Sequence, residues 1–250
     1  MRETRGYDVF SVPETRERIL ALGHLCLSAV LSAKAYPREV LQAFQKISEE
    51  YSVIHGYQIT VNLDEIMDTG LPKKNLLDID YSRVKREMTA MALQFLDGFG
   101  KRVPPDRYTE EAYIRQLFGS LKDFYLTGKG KWDRYTAACG NGLTVLNLDL
   151  QGNLYPCHNT SRKAGTIHDG YFSYLQRILA GDHTHEYRKE CLSCTALAFC
   201  QGGCKLVGDK ARKESYCRLK RAVFTPVLIA IQQYGQKLLE KNHGKERNHQ

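Results

Sequence analysis

Between residues 25 and 63 the period of the apolar positions changes twice. Leu25 to Leu31 is an apolar run that suits a buried strand. After Pro37, apolar residues fall at Val40, Leu41, Phe44 and Ile47, which is the spacing of one helix face. "YQITVNL" at 57–63 then reads as a second strand. Strand, helix, strand over so short a span predicts a βαβ unit with parallel strands. Cys26, set in the apolar run, is expected to be a buried structural thiol. Asp64 and Glu65 follow the second strand, where the C-terminal end of a barrel strand and a helix cap explain them equally well.

Helical spacing returns over Tyr81 to Phe99 and over Thr109 to Tyr125, the latter introduced by "VPPDRYTEE" with its prolines and early acidic residues. A Lys/Gly-rich link lies between Gly128 and Gly130. Beyond it the texture changes: seven of the eight cysteines lie between 139 and 217, and glycine becomes frequent. The expected organisation is therefore a 1–130 segment with trailing helices, a Cys-rich domain over 131–220, and a C-terminal helix and tail over 221–250. That last helix is expected over Arg218 to Leu239, with Val223, Val227, Leu228, Ile231 and Leu238 on or near one face and Pro226 starting or bending it. The tail "KNHGKERNHQ" is polar enough to be disordered. In "DGYFSYLQRIL", Phe172, Tyr174 and Leu175 are expected to form the packing face of a short helix.

Composition bounds these readings. At 250 residues and 42% apolar content the chain can bury a sizeable core. The net charge of +8 is spread along the chain, which attracts acidic partners in general and specifies none. "KARKESYCRLKR" is read as a solvated face around Cys217, ahead of a surface for an acidic leader peptide or nucleic acid. No run of about 18 apolar residues is present to span a membrane, and the start "MRETRGYDVF" lacks the apolar core of a secretory signal. The default compartment is the cytosol, where thiols stay reduced, so clustered cysteines point to metal or redox chemistry ahead of a disulfide framework.

The thiols follow the pattern Cys139-x12-Gly152-x4-Cys157, then Cys191-x2-Cys194-x5-Cys200-x3-Cys204, then Cys217. A C-x2-C step lets one tight turn direct two thiolates at one metal ion or cluster. Structural zinc and an iron-sulfur cluster both take four such ligands. Gly202 and Gly203 in "CQGGC" favour a cluster, because they permit close backbone approach and N–H contacts to sulfide, without excluding zinc. His158 beside Cys157 is read as a loop residue ahead of a ligand, and His183 and His185 in "GDHTHEY" as a solvated loop ahead of an H-x-H metal site.

The run "CGNGLTVLNLDLQGNLYPCHN", followed by "GTIHDG", "CLSCTALAFCQGGC" and Cys217, resembles the SPASM domain at the C-terminus of many radical S-adenosylmethionine enzymes. All seven cysteines and the spacing glycine Gly152 match that family's pattern over 139–217, and "LDLQGNLYPC" matches its hairpin. The resemblance implies an α/β chain with two auxiliary 4Fe-4S clusters. Cys191, Cys194, Cys200 and Cys217 would hold one complete cluster. Cys139, Cys157 and Cys204 would hold the other, with Asp133 or Tyr135 as a further ligand or one iron left open for substrate or solvent. It also makes the N-terminal half similar to a late strand, helix and strand of a partial βα barrel, whose first strand would present an unpaired edge.

The family's S-adenosylmethionine site needs a CxxxCxxC motif, and Cys26 is the one cysteine before Cys139. The resemblance therefore implies the C-terminal portion of a peptide- or protein-modifying enzyme, including modifiers of ribosomal peptides and of sulfatase active-site residues. Its auxiliary clusters would transfer electrons or bind substrate. S-adenosylmethionine would bind only if the missing half is supplied, by a separate chain or by a longer one. The other expectations are a noncatalytic iron-sulfur protein and a zinc-stabilised module that binds a peptide or partner. No catalytic residue is assigned.

Overall fold

A computed structural model of the chain describes residues 11–57, 59–65, 78–98, 108–127, 146–157, 163–180, 191–200, 202–204 and 215–247. Two compact units divide the chain. Met1–Glu65, Ile79–Gly130 and Ala222–Gln250 form the first, and Ile66–Asp78 with Lys131–Arg221 form the second.

In the first unit, α1 (Pro13–Leu20) precedes the βαβ unit that the sequence predicts, made of β1 (Cys26–Leu31), α2 (Pro37–His55) and β2 (Thr60–Glu65). The strands are parallel and run in register from Cys26 opposite Thr60 to Leu31 opposite Glu65. Pro37 starts α2, where its fixed φ suits the first turn and its missing N–H is not needed. The Glu39 carboxylate accepts the Tyr36 N–H at 3.4 Å, and Gly56, at φ 73°, ends the helix in the left-handed region. Between these signals Leu41, Phe44, Ile47 and Tyr51 recur at helical spacing and are all buried.

One expectation fails here. The run 25–31 is not buried on both faces, and Cys26 is an exposed thiol. Strand side chains alternate, so Leu27 and Leu31 enter the core while Cys26, Ser28 and Val30 line the opposite face, Val30 at 47% exposure. Asn62 Nδ2 lies 3.3 Å from the Cys26 sulfur on that open face. Asp64 and Glu65, expected to follow the second strand, are its last two residues, opposite Val30 and Leu31, which is one of the two placements that the sequence leaves open.

The next two predicted helices are present as α3 (Tyr81–Gly98) and α4 (Tyr108–Thr127). Both pack on α2 and on each other, and α4 also packs on β2. Met88, Met91 and Phe95 of α3 and Ile114 and Phe118 of α4 are almost fully buried, with the Phe95 and Phe118 rings 5.2 Å apart. Arg83 fastens the helix ends. Its guanidinium sits 3.8 Å from the Tyr36 ring centroid and donates to Glu39 at 2.5 Å and Glu87 at 2.8 Å. The Arg83 hydrogen bond is the main reason that the Glu39 carboxyl sits below the usual carboxylate range.

The second unit holds a three-stranded antiparallel sheet in the order β3 (Asn147–Leu148), β4 (Asn153–Tyr155), β5 (Gly165–Thr166), with α5 (Tyr171–Ala180) packed on β5. Leu154, Ala164, Tyr174 and Ile178 form its core cluster. Tyr174 is buried and Leu175 half-buried, as expected, but Phe172 is 78% exposed and so does not belong to the packing face. In α5 the buried positions are 174 and 178, one turn apart, and Phe172 falls on a different side of the helix. Asp169 braces the corner. Its carboxylate accepts the Thr166 N–H at 2.7 Å and pairs with Arg177 at 2.9 Å, and these two contacts hold its pKa low.

After the short α6 (Leu197–Cys200) comes α7 (Cys217–Arg247), whose residues from Ala222 onward belong to the first unit. It is longer than the expected 218–239 span. Residues 241–247, expected to be a disordered tail, continue the helix, since Lys, Glu and Arg are good helix formers as well as polar ones. Pro226 sits inside the helix, not at its start. Val223, Val227, Ala230 and Ile231 are buried, Leu228 is half-buried, and Tyr234 meets the Phe118 ring edge-on at 5.4 Å. The Leu238 side chain lies outside the described residues. Among the described residues no helix is long and apolar enough to cross a membrane.

Candidate metal centre

Cysteine-bearing turns follow one another from 191 to 204. The Cys194 N–H donates to the Cys191 carbonyl at 2.9 Å, and the Leu197 N–H to the Cys194 carbonyl at 3.0 Å. α6 then brings the Cys200 N–H to the Ala196 carbonyl at 2.9 Å, and the Gly203 N–H returns to the Cys200 carbonyl at 2.8 Å. Ala196 is buried beneath this strip, whereas Cys191, Cys194, Cys200 and Cys204 are half-buried. Backbone groups are thus satisfied inside the turns.

Gly202 and Gly203 have φ of 85° and 78°, which only glycine adopts without cost. A Cβ on Gly203 would stand 2.7 Å from Tyr216 Cε1 and 3.3 Å from the Cys200 sulfur. The Tyr216 ring can sit against Gly203, near that sulfur, because the side chain is missing. Cys217, the first residue of α7, follows Tyr216 directly and is half-buried.

The hairpin delivers a further thiol. Its turn is built on Asp149, whose carboxylate accepts the Asn153 amide group at 2.8 Å, the Asn153 N–H at 2.9 Å, the Tyr155 hydroxyl at 2.9 Å and the Gln151 N–H at 3.0 Å. These bonds, led by the Asn153 side chain, hold the Asp149 pKa down to about 2, and the Asp149–Tyr155 contact pushes the Tyr155 phenol up. Gly152 at φ 77° completes the turn, as the spacing glycine requires. Cys157, just beyond β4, is buried. Asn147 faces the same side of the sheet as its partner Tyr155. Its Nδ2 is buried without a hydrogen-bond partner.

Among the described residues no three His, Cys, Asp or Glu side chains converge as ligands of one metal ion. The orphaned Asn147 amide is a spare donor on the hairpin that delivers Cys157, which fits a cluster whose sulfides accept hydrogen bonds. Cys139, Asp133, Tyr135, His158, His183 and His185 lie outside the described residues. Two features are not evident from cysteine spacing: the Asp149 hub, signalled only by the turn sequence "DLQGN", and Tyr216, signalled only by its place beside Cys217.

No family model matches the chain, and no curated protein matches it. Two solved structures are similar. One is native anSMEcpe with bound AdoMet and Kp18Cys peptide, at TM-score 0.49 and 18% identity, with 94% of this chain and 64% of that chain covered. The other is polyhistidine-tagged anSMEcpe with bound AdoMet, at TM-score 0.49 and 18% identity, with 92% and 63% covered. The chain spans less than two thirds of the length of either structure.

Proposed function

We propose that the chain is an iron-sulfur protein, the auxiliary-cluster part of a radical S-adenosylmethionine enzyme of the SPASM kind that modifies a peptide or protein. The observation that carries this reading is the seven-cysteine spacing with Gly152, from Cys139 to Cys217. The turn geometry at 191–204 supports it. Cys191, Cys194, Cys200 and Cys217 hold one cluster, and Cys139, Cys157 and Cys204 supply three ligands to the other, whose remaining ligand is Asp133, Tyr135 or substrate. When bound, the clusters supply one-electron transfer to or from the substrate, or a Lewis-acidic iron on which a substrate group sits.

The chain's own residues do the positioning. Asp149 sets the hairpin that presents Cys157, and the left-handed glycines turn the chain between Cys200 and Cys204. The βαβ unit is read as part of a βα barrel whose CxxxCxxC portion lies on another segment or another chain.

Anaerobic purification with iron, acid-labile sulfide and zinc assays tests the reading. About eight irons and matching sulfide per chain are expected for two 4Fe-4S clusters. Stoichiometric zinc without sulfide sinks it. On the second part of the proposal, the chain alone forms no 5′-deoxyadenosine from S-adenosylmethionine, and a chain carrying CxxxCxxC restores the cleavage on mixing.

A further inference from the structure

Tyr216 is 8% exposed and occupies the space that a Cβ on Gly203 would take, with Cε1 at 2.7 Å and Cζ at 3.3 Å from that position. The Cys200 sulfur lies 3.3 Å from the same point on Gly203. Ring and sulfur are therefore no farther apart than the sum of the two nearest distances. A wider, π-type turn over 215–216 leads into α7 and sets Tyr216 immediately before Cys217. The Lys220 ammonium stands 5.4 Å from the ring centroid. One buried ring thus adjoins Cys200 through space and Cys217 through the chain, with a cation at its face.

We infer that Tyr216 is a positioning residue for the Cys191/Cys194/Cys200/Cys217 cluster: its ring, seated on Gly203, shields the Cys200–Cys217 side from water and sets the cluster's reduction potential together with Lys220. The inference rests on the iron-sulfur reading above. One-electron reduction adds one negative charge to the site and releases no group. A dry, low-dielectric wall disfavours that added charge, and a nearby ammonium favours it. The hydroxyl is not needed for shielding, whereas the ring is.

The test is an anaerobic dithionite titration of the full, reconstituted chain followed by electron paramagnetic resonance, with iron and sulfide counted in every variant. Tyr216→Ala admits water and raises the midpoint of one of the two couples, by about tenfold in its equilibrium constant, which is about 59 mV for one electron. Tyr216→Phe keeps the wild-type midpoint. Lys220→Met lowers it.

A loaded Tyr216→Ala protein with the wild-type midpoint overturns the inference and leaves the cluster reading standing. A wild-type chain without iron and sulfide overturns both. If Tyr216→Ala fails to load, the other two variants decide: Tyr216→Phe unchanged with Lys220→Met lowered supports the inference, and Lys220→Met unchanged overturns it.

Discussion

Among the described residues, the first unit buries aromatic and aliphatic side chains from five helices and two strands, several of them completely, among them Leu41, Val84, Met88 and Val227. Among the described residues of the second, Leu154, Ala164, Tyr174 and Ile178 form a core cluster, and Leu148, Leu150, Phe172 and Leu192 are exposed. The two units differ in what the sequence offers to order them: the first has an extensive set of buried apolar side chains, and the second also carries clustered thiols that can act as staples, as in small metal-dependent domains. The thiols supply them in the proposed reading.

In the proposed reading, metal removal has the largest effect. Anaerobic chelation, or Cys200→Ser, is then expected to abolish protease resistance in segments 146–157 and 163–180 while the first unit keeps its protected fragments; mass spectrometry of a limited digest reads the outcome. Equal sensitivity in both units would show that their order has one source. Next in size is Phe95→Ala, which removes a ring packed at a tilt against Phe118 and costs about 3–5 kcal/mol. The loss should appear in the denaturation of the first unit with iron content unchanged.

Gly56→Ala gives a smaller and purely conformational effect. No atom lies within 4 Å of a Cβ placed there, so the cost is that of an L-residue in the left-handed region, about 1–2 kcal/mol, measurable as a lowered urea midpoint. The smallest effect concerns pH in the second unit. Asp149 is lowered from the ordinary 3.8 to about 2, so its stabilisation is complete above the ordinary value and is lost as pH falls toward and through the lowered one. Asp149→Asn should flatten that acid dependence, followed by near-ultraviolet circular dichroism over an acid titration from about pH 5 to about pH 2.

Much of the first unit is legible in the sequence because burial there follows period. The face of α2 can be read from Val40, Leu41, Phe44 and Ile47, and its ends from Pro37 and Gly56. Cys26 defeats the same reasoning, since an apolar run does not say which faces of a strand are covered, and alternation leaves that thiol outside. Phe172 fails for a related reason: adjacent apolar residues on a helix cannot all point inward. The 241–247 stretch fails because a polar composition does not cancel helix propensity.

At the candidate site, spacing identifies the thiols but not what lies against them. Tyr216 and Asp149 act through a positive-φ turn and a network of short-range bonds, neither of which has a periodic signature.

The end of α1 is tied to the end of α2, which sets its local stability. The Leu20 carbonyl accepts His55 Nε2–H at 2.8 Å. The Leu22 and Gly23 carbonyls each accept the Tyr51 hydroxyl at 3.0 Å, and the Tyr57 hydroxyl also donates to Gly23. Three rings, two on the last turns of α2 and one just past its end, thus close the chain just after a helix too short to persist alone. α1 therefore leans on α2 for its order, and its amides should exchange with solvent earlier than those of the helix that holds it.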